Sequence, residues 1–188
     1  MGAKIFFSYG IVIICMVVLA GCAASGVSPA DMQKRQQALS VSDHLIVPGD
    51  RIGPVRLGMG MDEVIAMLGQ PDVIFELDDG TMDHRVYPQW RYWSMNLVVD
   101  FDMSTAPAVT AVSTQNWTDK PLTIIYRTAG GVGLGSSFFD AKRDQSGSPT
   151  VDTVCNDGHK MLDYPNIEFL SHSNTSGTIS IITVFPER

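Results

Sequence analysis

Met61, Val64, Ile65 and Leu68 fall at i, i+3, i+4 and i+7, which predicts a short helix with one apolar face. Asp62 and Glu63 sit in its first turn, where carboxylates suit the helix dipole. Gly69 is placed as a left-handed stop, and Pro71 prevents continuation. The pattern then turns β-like. Residues 73–77 read as a strand, with Asp78-Asp79-Gly80 as the turn after it. Residues 90–101 are aromatic and β-branched and predict one long strand, and residues 108–115 alternate toward another. Ser136 and Ser137 offer N-cap chemistry for a second helix over about 138–145, stopped by Gly147. Its apolar side is thin: Phe138, Phe139 and Ala141. Residues 151–155, 167–171 and 178–185 follow as strands, with Asn156-Asp157-Gly158 and residues 174–177 as turns.

The chain also matches itself at an offset of 77 residues. Gly53, Val55, Leu57 and Gly58 meet Gly130, Val132, Leu134 and Gly135. Asp79, Tyr87, Pro88 and Tyr92 meet Asn156, Tyr164, Pro165 and Phe169. Gly69 and Pro71 find Gly147 and Pro149 at 78, so one inserted residue separates the blocks. Each unit reads helix, strand, strand, strand. Strands joined by short turns run antiparallel, and one helix covers one sheet face. The expected fold class is therefore α+β: two tandem repeats, each a short helical segment on a three- to four-stranded antiparallel sheet. The first spans residues 45–120 and the second, more divergent, spans 121–188. A unit this small has a marginal core alone, so the two should pack together.

Before the first unit the composition changes. Lys4 precedes an uncharged, largely apolar run over residues 5–20, shorter than a membrane span needs. The run ends in Leu19-Ala20-Gly21-Cys22, which resembles the lipobox of bacterial lipoproteins. The resemblance implies a signal peptide over 1–21 and lipid on Cys22. Ala23 after the Cys implies sorting to the outer membrane, facing the periplasm. Residues 22–44 are polar, with small residues at both ends, and read as a flexible tether.

Net charge of −7 argues against a generic nucleic-acid binder, which needs a basic surface. Three Cys are too few for a disulfide scaffold. With Cys15 in the signal and Cys22 lipidated, Cys155 stands alone and reads as a small apolar side chain in a strand.

Leu57-Gly58-Met59 with Glu63-Val64 and Leu68-Gly69-Gln70-Pro71-Asp72 is similar to the helix motif of the SmpA/OmlA family, which includes the BamE lipoproteins. The β-lactamase inhibitor protein carries a like unit in tandem. The second unit here keeps Leu134-Gly135, Gly147 and Pro149 but lacks the Met and the Glu-Val pair. The resemblance implies a non-catalytic module that binds another envelope protein, either an outer-membrane assembly component or a periplasmic enzyme. An inhibitor or immunity protein is the second expectation, and a small periplasmic enzyme or ligand-binding protein the third.

Enzyme signatures are weak. His44, His84, His159 and His172 lack metal-ligand spacing, and no C-x-x-C occurs. Asp78, Asp79, Asp83 and His84 read as a polar hairpin tip. No G-x-S-x-G or S-x-x-K motif is present. Gly130 to Gly135 lacks the Lys-Ser/Thr of a P-loop and belongs to the repeat motif. Asp62-Glu63 diverge around a helix, and Asp100 and Asp102 have no converging cleft that the sequence requires. No catalytic residue, metal or cofactor is therefore expected. The aromatics Trp90, Tyr92, Trp93 and Phe101 are the candidate partner-binding set. One sheet face must pack under the helix. The other either meets a partner or is core between the two units.

Overall fold

A helix stands where the sequence has its thinnest apolar pattern. In the computed structural model, which describes residues 27–41, 43–78, 86–102, 104–117, 124–154, 158–172 and 177–187, α1 spans Pro29–Val41. Ser28 caps it, its hydroxyl accepting the Asp31 N–H at 3.1 Å. Pro29 takes the first position, where the missing N–H costs nothing. The flexible tether expected over residues 22–44 is thus replaced by a docked helix over most of its length. The expected signal peptide and Cys22 lie outside the described residues.

One side chain accounts for the docking. Arg35 is 1% exposed. Its Nη1 donates to both carboxylate oxygens of Asp72 at 3.1 and 3.0 Å and to Ser94 Oγ at 3.1 Å. Nε donates to the Leu68 carbonyl at 3.2 Å and Nη2 to the Gln70 carbonyl at 2.7 Å. The guanidinium also lies 4.9 Å over the Tyr92 ring. α2 spans Met61–Leu68, as the periodicity predicts, with Val64 and Leu68 buried. The last carbonyls of a helix have no partner within it, and cations are favoured there. Arg35 therefore closes α2 at its C-terminus while fixing α1 beside it. Gly69 permits the approach. A Cβ there would come within 2.1 Å of Asp31 Oδ1. Its φ of 73 and ψ of −169 are open essentially to Gly alone, and differ from the left-handed stop expected.

A small sheet follows α1: β1 (Ile46–Val47), β2 (Arg51–Ile52) and β3 (Val55–Arg56). After α2 come β4 (Val73–Asp78), β5 (Val86–Tyr92), β6 (Leu97–Phe101) and β7 (Val109–Gln115), an antiparallel meander. The single long strand expected over residues 90–101 is broken. A 3-10 turn, Trp93–Met95, ends β5, and Asn96 takes φ 54, an αL position that Asn tolerates. α3 (Phe138–Asp144) agrees with the second predicted helix, and the Ser137 hydroxyl accepts the Asp140 N–H at 3.1 Å. β8 (Val151–Val154), β9 (Lys160–Tyr164), β10 (Ile167–Leu170) and β11 (Ile181–Val184) form a second antiparallel meander.

β7 and β11 pair antiparallel, so the two meanders make one sheet, ordered β4-β5-β6-β7-β11-β10-β9-β8 among the described residues. At the junction Val112 faces Val184 and Thr114 faces Ile182, about a central Ser113–Thr183 pair whose hydroxyls lie 3.0 Å apart. Leu57 packs against the core and Leu134 is buried in it. Gly58 and Gly135 adopt φ 81 and 83, and their N–H groups donate to Val109 O and Ile179 O, both at 2.8 Å. The Tyr-Pro match of the sequence does not correspond in space. Tyr87-Pro88 lies inside β5, whereas Tyr164 ends β9. The β8–β9 connection is two residues shorter than the β4–β5 one, so the match at 77 is already out of step where β5 and β9 begin.

Replacing Arg35 with Ala leaves the Asp72 carboxylate buried without its cation. A loss of about 3–5 kcal/mol in urea unfolding is expected, with new protease cleavage at Lys34. Arg35→Lys should recover only part of it, because an ammonium cannot serve carboxylate and carbonyls in the same fork.

Candidate partner-binding face

Strand alternation sorts the side chains of the large sheet onto two faces. Trp90 lies across from Val99, which lies across from Val112, and Tyr92 lies across from Leu97. These residues are buried in a cluster that also takes in Val64 and Leu68 of α2, and Phe138 and Ala141 of α3. Trp90, Tyr92 and Phe101 are 5%, 0% and 1% exposed, and the Trp90 and Phe101 rings meet at a tilt of 57° with centroids 4.6 Å apart. Three of the four expected partner-binding aromatics are therefore core. Tyr92 also donates its hydroxyl to the Gly69 carbonyl at 3.2 Å, and burial pushes its ionisation well above the ordinary range.

Trp93 goes the other way. Its backbone N–H donates to Asp72 Oδ2 at 2.6 Å, which fixes it to the Arg35 ion pair. Its indole meets Trp117 edge-on at 4.5 Å. Between them and the sheet edge lies Arg91, which the sequence reading did not single out. Its guanidinium carbon is 4.0 Å over the Phe75 ring, 5.1 Å from Trp117 and 6.0 Å from Trp93. Arg91 and Phe75 sit on neighbouring strands two positions off register, a spacing that long side chains bridge. A period-two reading of β4 and β5 puts Phe75 and Arg91 on one face; their pairing register was not readable.

Polar groups hold the arginine in place. Arg91 Nε and Nη2 both donate to Gln89 Oε1, at 3.0 and 2.9 Å, and Gln89 Nε2 donates to Asp100 Oδ1 at 2.8 Å. Burial lowers the Arg91 pKa, against the pull of Asp100. Burial likewise raises the Asp100 pKa, and the Gln89 bond and Arg91 offset this in part. Beside them an open cleft of about 340 Å³ is lined by Tyr87, Asp100, Asp102 and Thr110, with Phe101 and Ala111.

The remaining candidates have local tasks. Glu63 accepts the Gly60 N–H at 2.8 Å at the start of α2. Asp102 Oδ1 accepts from Ser104 N, Ser104 Oγ and Ala108 N, which shapes the β6–β7 turn. His159 and His172 meet ring to ring at 6.5 Å. Asp79, Asp83, His84 and Cys155 lie outside the described residues. Among the described residues no three His, Cys, Asp or Glu side chains gather to hold a metal ion. No helix there is long and apolar enough to cross a membrane.

No protein-family model matches the chain, and no curated protein matches it. A solved extracellular protein with an SCP domain, from Bacillus anthracis, is similar at 9% identity and a TM-score of 0.44. The likeness covers 69% of this chain and 44% of that one. Both meanders are antiparallel and α1, α2 and α3 lie outside the sheet, so the fold of the described residues is α+β.

Trp90→Ala should cost about 3–5 kcal/mol as a core truncation, whereas Phe75→Ala should cost about 1 kcal/mol, the scale of an exposed cation–π contact. A raised carboxyl pKa means that the folded state binds the proton more tightly. Stability should thus fall as pH rises from the unfolded value through the folded value. Asp100→Asn, which keeps an oxygen for Gln89, should raise the unfolding midpoint at neutral pH and leave it unchanged below the carboxylate range.

Proposed function

We propose that this chain is a non-catalytic protein-binding module, held at the periplasmic face of the outer membrane by lipid on Cys22. Its partner is another envelope protein, with outer-membrane assembly as the setting. The observation that carries the reading is the Phe75–Arg91–Trp93–Trp117 cluster on the side of the sheet away from the helices. Trp, Tyr and Arg dominate the energetics of protein interfaces, because they combine large apolar area with directed polar contact. The opposite face is occupied by α2 and α3.

The module consists of two SmpA/OmlA-like units in tandem. Supporting this, the glycines Gly58 and Gly135 recur with φ 81 and 83, the Gly58 N–H bonding to Val109 at the start of β7 and the Gly135 N–H to Ile179, two residues before β11. Gly69 and Gly147 also share positive φ after their helices.

Anchoring and docking together limit reach. Six residues separate Cys22 from the start of α1. Fully extended, they span about 20 Å. A partner is therefore met close to the membrane surface. An inhibitor of a periplasmic enzyme or toxin is the second reading, favoured by a net charge of −7, which suits a basic target.

The test is co-purification from crosslinked envelopes, with the native chain, a Trp93→Glu variant and a Cys22→Ser variant. Enrichment of membrane assembly proteins that is lost in both variants is the expected result. One soluble hydrolase or toxin, bound in equal amount and retained by Cys22→Ser, would overturn the assembly role in favour of inhibition. Equal enrichment by native chain and Trp93→Glu would overturn the assignment of the face.

A further inference from the structure

Arg91 holds its position through only part of its donor set. A guanidinium carries five N–H donors arranged as two forks. The side fork, Nε with Nη2, is taken by Gln89 Oε1. The end fork, Nη1 with the second Nη2 hydrogen, donates to no acceptor among the described residues. The guanidinium carbon lies 4.0 Å over the Phe75 ring and 5.1 Å from the Trp117 ring, which limits where that fork can turn. Arg35 is the internal contrast. Its side chain bonds to a carboxylate, a hydroxyl and two carbonyls, and nothing more is asked of it.

We infer that Arg91 is a subsite for a carboxylate of the partner, read through the end fork, with an apolar group beside it on Phe75 and Trp93, over the buried Trp117. This rests on the protein-binding role proposed above and names the chemistry of its central contact. A planar fork matches a carboxylate in two parallel bonds. Charge complementarity selects the occupant. The only formal positive charge in the cluster is Arg91, and Asp100, held by Gln89, does not reach it as an ion pair within 4 Å. A basic partner group would meet Arg91 as a like charge. The occupant is thus an acidic side chain, or a chain-terminal carboxylate, next to an apolar or aromatic residue.

The test uses N-acetyl-phenylalanine, with N-acetyl-phenylalanine amide as its uncharged counterpart. The full chain is titrated with each, and the Arg91 side-chain ¹⁵N–¹H signals and Trp fluorescence are followed. The acid should move both signals saturably. The amide should bind at least about tenfold more weakly, since a hydrogen bond to a charged group contributes about 1.5–3 kcal/mol. Arg91→Lys, which keeps the charge and loses the fork, should weaken the acid and leave near-UV circular dichroism unchanged. Equal binding of acid and amide, or no binding of either, would overturn the carboxylate subsite. Loss of co-purification in Trp93→Glu alongside such a result would show that the face still binds and that only its chemistry was misassigned.

Discussion

The pairing of β7 with β11 is the constraint on which the rest depends. Each meander alone would end in an open edge strand and a helix covering a small patch. Joined about the Ser113–Thr183 pair, they become one sheet with α2 and α3 packed on one side. Val112, Thr114, Ile182 and Val184 stand at that seam, and Ile182, Val184 and Val112 are fully buried. Since side chains alternate along every strand, fixing the seam fixes which face each aromatic takes. It puts Trp90 and Tyr92 under the helices and Arg91 and Phe75 on the far side.

A second node carries the orientation outward. Asp72 receives two bonds from Arg35 and one from the backbone of Trp93. The same carboxylate therefore couples the docking of α1, the end of α2 and the turn that presents Trp93. Burying an ion pair is costly unless the remaining groups are satisfied. Here the guanidinium satisfies two carbonyls and a hydroxyl in addition to the carboxylate. The consequence is positional: α1 is drawn onto the domain, and Trp93 is fixed through the same carboxylate that holds it.

α2 and α3 were readable in the chain, and so were the strands at 73–78, 109–115, 151–154 and 167–170. Their signals are local: apolar spacing, a cap, a turn residue. Residues 31–39 allow a helical turn or two, but the docking of α1 was not legible, because it depends on one arginine whose partners lie at positions 68, 70, 72 and 94. The 90–101 hairpin was read as a single strand, because Trp93 and Asn96 interrupt it within an otherwise apolar run. The candidate face was legible in part. Alternation separates Trp93 from Trp90 and Tyr92, but nothing local says which set is covered. Arg91 and Phe75 meet only through cross-strand register, which a single sequence does not display.

Hydroxyl-radical footprinting, comparing the purified chain with the chain in native envelopes, tests the central claim most directly. Phe75 is 36% exposed on the sheet, and Phe139 is 70% exposed on α3, on the opposite side. Both should be oxidised in the purified chain, with Trp90 and Tyr92 spared. In envelopes Phe75 and Trp93 should become protected while Phe139 stays reactive. Protection of Phe139 with Phe75 still reactive would place the partner on the helices and contradict the account.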